Sequence, residues 1–180
     1  MSAELPPKQL SMIISASRAE DMPEYTVPEG FVVRGYLPGD EESWTELLNT
    51  GDYGSDWDRT RVVEFLAGPE RAVGSVVVAR DSRVVAATFA SVEVDRDFTG
   101  RVDFVTSHPD VRGLGLGRVV CTGVVRYLVG KGYPEVILYT DDWRLPAIGL
   151  YLSMGFEPQM TRSNMPERWR RVMKQLEGSR

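Results

Sequence analysis

The sequence predicts an α+β (α/β) fold built on a mixed sheet, and three observations predict it. The hydrophobic period switches from helical to alternating and back along the chain. Three segments rich in Val, Thr and Phe follow one another across short turns. A glycine-rich turn then joins the last of them to a long apolar helix. At 180 residues, 42% hydrophobic and 26% charged, the chain suits one domain with a core of its own and is too apolar for disorder.

Residues 1–30 carry Pro6, Pro7, Pro23 and Pro28 around one apolar stretch, Leu10–Ile14. They read as an N-terminal arm that lends a strand or covers a sheet edge, ahead of a single domain over 31–180. Phe31–Tyr36 predicts a strand closed by Pro38-Gly39-Asp40. Asp40 is placed to cap a helix through Trp44, Leu47 and Leu48 that Gly51 stops, and Asp58 to cap a second carrying Val62, Val63, Phe65 and Leu66. Ser75–Ala79, Val84–Val94 and Arg101–Thr106, separated by turns at Asp81-Ser82 and Asp97–Gly100, predict an antiparallel meander. A helix over Leu116–Val129, a strand at Val136–Thr140, a helix at Pro146–Met154, a strand at Phe156–Thr161 and a basic helix at Pro166–Leu176 complete the order.

Composition removes several functions. One cysteine (Cys121) and one histidine (His108) permit neither a disulfide framework nor a Cys/His zinc site, so no metal is expected. The hydrolase pattern G-x-S-x-G is missing. The opening MSAELPPKQL lacks the basic-then-apolar form of a signal peptide, and no apolar run nears the roughly 20 residues of a membrane span. A soluble cytoplasmic protein without a membrane partner is the expectation. The net charge of -5 argues against a nucleic-acid partner. That charge is unevenly spread: residues 1–100 carry 18 acids and 9 bases, residues 101–180 carry 8 acids and 12 bases. Two unlike ligands, or mere surface variation, would each give such a split.

The most informative segment is HPDVRGLGLGRVV, residues 108–120. Gly113, Gly115 and Gly117 leave backbone N–H groups uncovered at a helix start, which makes an anion cradle, and Arg112 and Arg118 flank it. A dinucleotide fingerprint fails because Arg118 or Val120 stands where its last glycine belongs, and no Gly-Lys-Ser/Thr triplet makes a P-loop. The spacing R-x-x-G-x-G fits, filled by Arg112, Gly115 and Gly117. Here the sequence resembles the GNAT superfamily of N-acetyltransferases, and a second motif agrees. LYTDDWRLPAIGLYLSMGFEP, residues 138–158, is similar to that family's N-x-x-A-x-x-x-Y-x-x-x-G-F, with Ala147, Tyr151, Gly155 and Phe156 in register. FVVRGYLPGDEESWTELL, residues 31–48, resembles the family's first strand and helix more loosely.

The resemblance implies a mixed, mostly antiparallel sheet flanked by helices, acetyl-CoA as cofactor with CoA as product, and an enzyme that acetylates an amine. It implies a cofactor site at Val105, Thr106 and Ser107 and along Arg112, Gly113, Leu114, Gly115, Leu116, Gly117 and Arg118. The family's asparagine is replaced by Arg144, which either reaches a phosphate or leaves the site. Tyr151 falls where the family keeps a tyrosine that protonates the departing thiolate; a phenol of pKa about 10 suits a thiol of about 8.5. The alternative is a tyrosine packed between strand and helix.

A family position for a basic glutamate is Tyr139, so the base is open among Asp103, Glu93, Asp141 and Asp142, with Asp103 preferred because it would share a sheet face with Val105 and Ser107. His108 reads as a turn residue and Cys121 as core. The loop TGDYGSDWDRT, residues 50–60, interleaves Asp52, Tyr53, Asp56 and Trp57, a pattern suited to a cationic amine or to a capped polar loop. Acceptors in reach are a small-molecule amine or a protein amine. A non-catalytic CoA sensor of the same fold and a nucleotide binder are the competing functions, the basic terminal helix reads as a solvated face, and an open edge strand would support a homodimer.

Overall fold

The computed structural model describes residues 9–93, 96 and 98–178. The expected strand end at Val94, the turn residue Asp97 and the prolines Pro6 and Pro7 lie outside the described residues. Seven strands form one sheet: β1 Leu10–Ser15, β2 Phe31–Gly35, β3 Val76–Arg80, β4 Arg83–Val92, β5 Thr99–Ser107, β6 Glu135–Thr140 and β7 Glu157–Pro158, in the order β2-β3-β4-β5-β6-β1-β7. Every neighbouring pair is antiparallel except β5 and β6. The helices are α1 Ala16–Glu20, α2 Glu41–Thr50, α3 Arg59–Leu66, α4 Arg71–Gly74, α5 Leu116–Gly130, α6 Leu145–Ser153 and α7 Met165–Gly178, with a 3₁₀ turn at Pro109–Val111.

The meander β3–β4–β5 forms because its connections are too short for a crossover. The parallel step from β5 to β6 is made by α5, whose buried Cys121, Val124, Val125 and Leu128 pack with Ala90, Val102, Val136 and Leu138. Ile148 and Tyr151 of α6, and Met165, Trp169 and Val172 of α7, belong to the same core. A second core holds Trp44, Leu47 and Leu48 of α2 and Val62 and Leu66 of α3 against Val77, Ala87 and Phe89. The sheet therefore separates two apolar layers.

β1 does not cover an edge. It lies inside the sheet, in register from Leu10 opposite Thr140 to Ser15 opposite Glu135, and takes β7 on its other side. The chain then runs back over α5, where Tyr25 and Val27 pack near Val111, Leu116 and Val119 and the Arg126 guanidinium donates to the Met22 carbonyl at 2.7 Å.

Four local expectations need correction. α1 and α4 were not foreseen, being short turns without an apolar period of their own. The strand at Phe156–Thr161 shrinks to Glu157–Pro158, since Pro158 brings no N–H to a ladder. Asp40 precedes α2 but its carboxylate does not cap it: it accepts from Leu37 N–H at 2.9 Å and from both Arg34 Nη atoms at 2.6 and 2.8 Å. Finally, the basic α7 is not solvated throughout. Arg168 is buried and bonds Asp142 with Nε at 3.0 Å and Nη2 closer still. Asp58, as its position predicts, caps α3 by accepting from Arg61 N–H at 2.8 Å.

Candidate active site

β5 and β6 pair only from Thr99 opposite Glu135 to Val102 opposite Leu138. Beyond that point β5 continues to Ser107 and β6 to Thr140 without each other, so the sheet opens into a wedge. A cleft of about 630 Å³ lies at this end, a size suited to a cofactor. Its walls are the end of β5 (Val105, Thr106, Ser107), the turn from Arg112 to Arg118, the face of α6 carrying Pro146, Ala147, Leu150 and Tyr151, and the loop Gly51–Tyr53 with Trp143 and Arg144. Of the expected cofactor residues only Leu114 is missing from the lining; its side chain is exposed.

The turn is built locally. Pro109 opens the 3₁₀ turn and the Asp110 N–H donates to the His108 Nδ1 at 3.3 Å. Gly113 and Gly115 then take φ of 84° and 75°, left-handed values that only glycine adopts cheaply, and a Cβ on either would meet no atom within 4 Å. Among the described residues, no protein group accepts from the backbone N–H groups of residues 113 to 117. Five free donors therefore meet the positive end of the fifteen-residue α5, which fits a diphosphate. Arg112 has no protein partner among the described residues, whereas Arg118 is steadied by Tyr25 Oη at 3.2 Å and Ser153 Oγ at 2.6 Å. His108 lines a smaller hollow beside Arg83 and Glu46 and is not part of the lining of this cleft.

Tyr151, which also lines the cleft, is 5% exposed and packs edge-on to Phe156. Burial, with Tyr53 and Cys121 nearby, pushes its phenol well above the usual value near 10, so it keeps its proton throughout the neutral range. Tyr53 Oη donates to the Val105 carbonyl at 2.8 Å, and burial pushes its pKa up to about 12. Burial likewise pushes the Cys121 thiol up to about 12, which suits core packing and not nucleophilic attack.

The carboxylates are arranged differently from expectation. Phe104 takes φ of 54°, and the β4–β5 register shifts between Ala87 and Phe89. This bulge breaks the alternation of the strand. Asp103 and Val105 therefore end on opposite faces: Val105 packs with the α5 layer, while Asp103 accepts from Arg101 Nη2 at 2.9 Å and Arg71 Nη2 at 3.4 Å. Asp103 lies outside the cleft lining, so its expected place beside Val105 and Ser107 is not realised. Glu93 accepts from Tyr139 Oη at 2.9 Å and pairs with Arg101. Asp142 belongs to Arg168, whose hydrogen bond holds it below the usual carboxylate range, and Asp141 lies 3.2 Å from Arg144 Nε. Among the described residues Asp52 is the one carboxylate lining the cleft.

The expected acceptor residues divide. Asp52 and Tyr53 line the cleft. Asp56 instead pairs with Arg61 at 2.8 Å, and Trp57 is buried in the α2–α3 core with Nε1 donating to the Tyr53 carbonyl at 3.1 Å. The cations over these rings are the chain's own: Arg61 stands 4.0 Å from the Trp57 centroid and Arg144 4.3 Å from that of Tyr53. Sequence reasoning missed Trp143, which is 61% exposed while lining the cleft; its place one residue before Arg144 in the second motif was the available signal. Among the described residues no cluster of three or more His, Cys, Asp or Glu stands ready for a metal, and no helix is long and apolar enough to cross a membrane.

Comparison with known proteins agrees with this geometry. Residues 41–156 match the acetyltransferase (GNAT) family. Mycothiol acetyltransferase of Thermomonospora curvata is 34% identical over 144 residues, covering 75% of this chain and 47% of that protein, and its namesake in Streptomyces coelicolor is 26% identical over 142 residues, covering 76% and 46%. The chain thus spans about half the length of the curated relatives it matches. Among solved structures, a GCN5-related N-acetyltransferase from Sphaerobacter thermophilus superposes with a TM-score of 0.67 at 18% identity, over 85% of this chain and 50% of that one. The yncA protein of Salmonella typhimurium, solved with its cofactor acetyl-CoA, gives 0.61 at 19% identity over 72% and 80%. With its wedge-shaped sheet, glycine turn and matched motifs, the chain belongs to the GNAT acetyltransferase family.

Proposed function

We propose that the chain moves the acetyl group of acetyl-CoA to a primary amine by direct attack in a ternary complex. The observation that carries this reading is the cleft itself, lined both by a turn with five N–H donors free among the described residues and by a buried, protonated Tyr151. The residues present fit the donor. The Gly113–Gly117 turn and Arg112 would hold its diphosphate, and the end of β5, which has no β6 partner past Val102, would present backbone groups to its pantetheine arm. Tyr151 would give its proton to the departing thiolate.

The acceptor side asks for an amine that is easily neutralised. A lysine-like amine of pKa near 10.4 is neutral about once in 2,500 molecules at pH 7, while an α-amino group near 7.8 is neutral about once in seven. Asp52 is the one carboxylate lining the cleft among the described residues, and it faces solvent at the mouth. The site is therefore better matched to a weakly basic small-molecule amine than to a lysine side chain. Asp52 would attract its ammonium form, and water would carry the proton away. The mycothiol acetyltransferases to which the chain is similar make a mycothiol-related small molecule the first acceptor to try.

The test is thiol release from acetyl-CoA across α-amino compounds, amino sugars, polyamines and a lysine peptide, with CoA affinity measured by calorimetry. Amine-dependent release that favours the weakly basic amines is expected. Tight CoA binding with no release from any amine would turn the reading to a CoA sensor, which the withdrawal of Asp103 into its arginine pairs would then explain. Binding of ATP or NAD in place of CoA would overturn both.

A further inference from the structure

We propose that Arg144 is a positioning residue that clasps the acceptor loop, and not a contact of the acyl donor; this rests on the acetyltransferase reading above. Arg144 stands at the start of α6, in the second motif, with its side chain only 12% exposed. Its guanidinium is held by one hydrogen bond, one ion pair and two rings, although the buried Nε makes no hydrogen bond to protein among the described residues. Nη2 donates to the Asp52 carbonyl at 2.6 Å, and Nε lies 3.2 Å from Asp141 Oδ2. The Tyr53 centroid is 4.3 Å from Cζ and that of Trp143 is 4.9 Å.

Two of these partners, Asp52 and Tyr53, belong to the loop between α2 and α3. The other two, Asp141 and Trp143, belong to Arg144's own loop. The guanidinium therefore crosses the cleft and ties its two walls together.

The loop needs such a tie. Its base is closed by Asn49, which bonds the Trp57 carbonyl at 2.8 Å and the Trp57 N–H at 3.0 Å. Its tip runs from Gly51 to Gly54, where glycine leaves the backbone free and Gly54 takes φ of 94°. Three hydrogen bonds hold that tip: Tyr53 Oη on the Val105 carbonyl, Trp57 Nε1 on the Tyr53 carbonyl, and Arg144 on the Asp52 carbonyl. Fixing the Asp52 backbone fixes where its carboxylate meets the cleft. The Asp52 hydrogen bond and the Tyr53 ring contact commit this guanidinium to the acceptor loop. Arg144 thus acts through Asp52 and Tyr53 on the acceptor.

Hydrogen–deuterium exchange of the full chain, with calorimetric CoA binding alongside, tests this in wild type, Arg144→Ala and Arg144→Lys. A lost charge-assisted hydrogen bond changes an equilibrium by about 10- to 100-fold, so exchange over residues 50–55 should quicken by at least about tenfold in Arg144→Ala. CoA affinity should stay within about twofold. Arg144→Lys, which keeps a charge and a donor but loses the planar stack, should fall between. Where an amine is turned over, its KM should rise about tenfold in Arg144→Ala with a smaller change in kcat. CoA binding weakened tenfold with unchanged loop exchange would overturn the proposal and return Arg144 to the donor. Unchanged exchange and unchanged affinity would overturn it too, as would protection lost across β4 and β5 in both variants. If wild type fails to bind CoA, the acetyltransferase reading fails while the exchange data still judge the clasp.

Discussion

Tyr151 and Asp103 show how one residue's surroundings decide its chemistry. The tyrosine is buried beside a cleft, so its phenol holds its proton far into the alkaline range. The sign of that effect gives a prediction. A proton donor is competent below its pKa, and a raised pKa extends competence upward, so Tyr151 should impose no falling limb below pH 10. The rate should instead climb with pH as the acceptor amine loses its proton and level off at that amine's own pKa. Initial rates from pH 6.5 to 10 check this, and a bell-shaped profile with a descending limb below pH 10 would contradict it. Asp103 lost its candidacy through one neighbour: Phe104 at φ 54° puts it on the other face from Val105, where Arg71 and Arg101 take its charge. No composition or spacing marks a phenylalanine as a bulge, because the bulge is settled by how β4 and β5 pair and not by the residue itself.

Among the elements, two short contacts should prove costly to disturb. α4 ends at Gly74, where an added Cβ would come within 2.7 Å of Ala90 Cβ and closer to the Tyr127 ring. Both neighbours sit in packed layers, so Gly74→Ala should lower stability by about 1–3 kcal/mol, the range for overpacking. A urea titration measures it, and an unchanged midpoint would mean that Tyr127 swings aside freely. The second contact docks α7 on the loop before α6, through Arg168 and Asp142. Arg168 depresses the Asp142 pKa, so this pair stabilises the fold above the unfolded carboxylate value near 4 and loses that stabilisation as pH falls through the lower folded value. Asp142→Asn should therefore flatten the acid side of the stability profile below pH 4 while lowering stability at pH 7. Thermal melts of both proteins from pH 2.5 to 7 decide it, and parallel profiles would remove the pair from the acid response.

At the scale of the whole molecule, the sheet's parallel step and its wedge make the site. α5 carries the chain from β5 to β6, and the free N–H groups at its start open onto the gap where those strands part. That much was legible beforehand, since a glycine turn between a strand and a long helix is a local pattern, as is Ala147, Tyr151, Gly155 and Phe156 in sequence. The insertion of β1 between β6 and β7 was not, because Leu10–Ile14 is equally apolar inside a sheet or at its edge. Nor were Asp52 and Tyr53 as partners of Arg144, since they belong to a loop about ninety residues away. The charge split was only half informative. The basic half holds the glycine turn with Arg112, which has no protein partner among the described residues, and the acidic half brings Asp52 to the cleft, but Asp40, Asp56 and Asp103 are neutralised by neighbouring arginines. On the function proposed above, this cleft joins a CoA site to a proton donor at Tyr151. Turnover of Tyr151→Phe at saturating acetyl-CoA tests it most directly, with CoA affinity measured on the same preparation. A fall in kcat of about 10²- to 10⁴-fold with CoA affinity unchanged is expected; turnover equal to wild type, with CoA bound as tightly, would remove Tyr151 from the acid role.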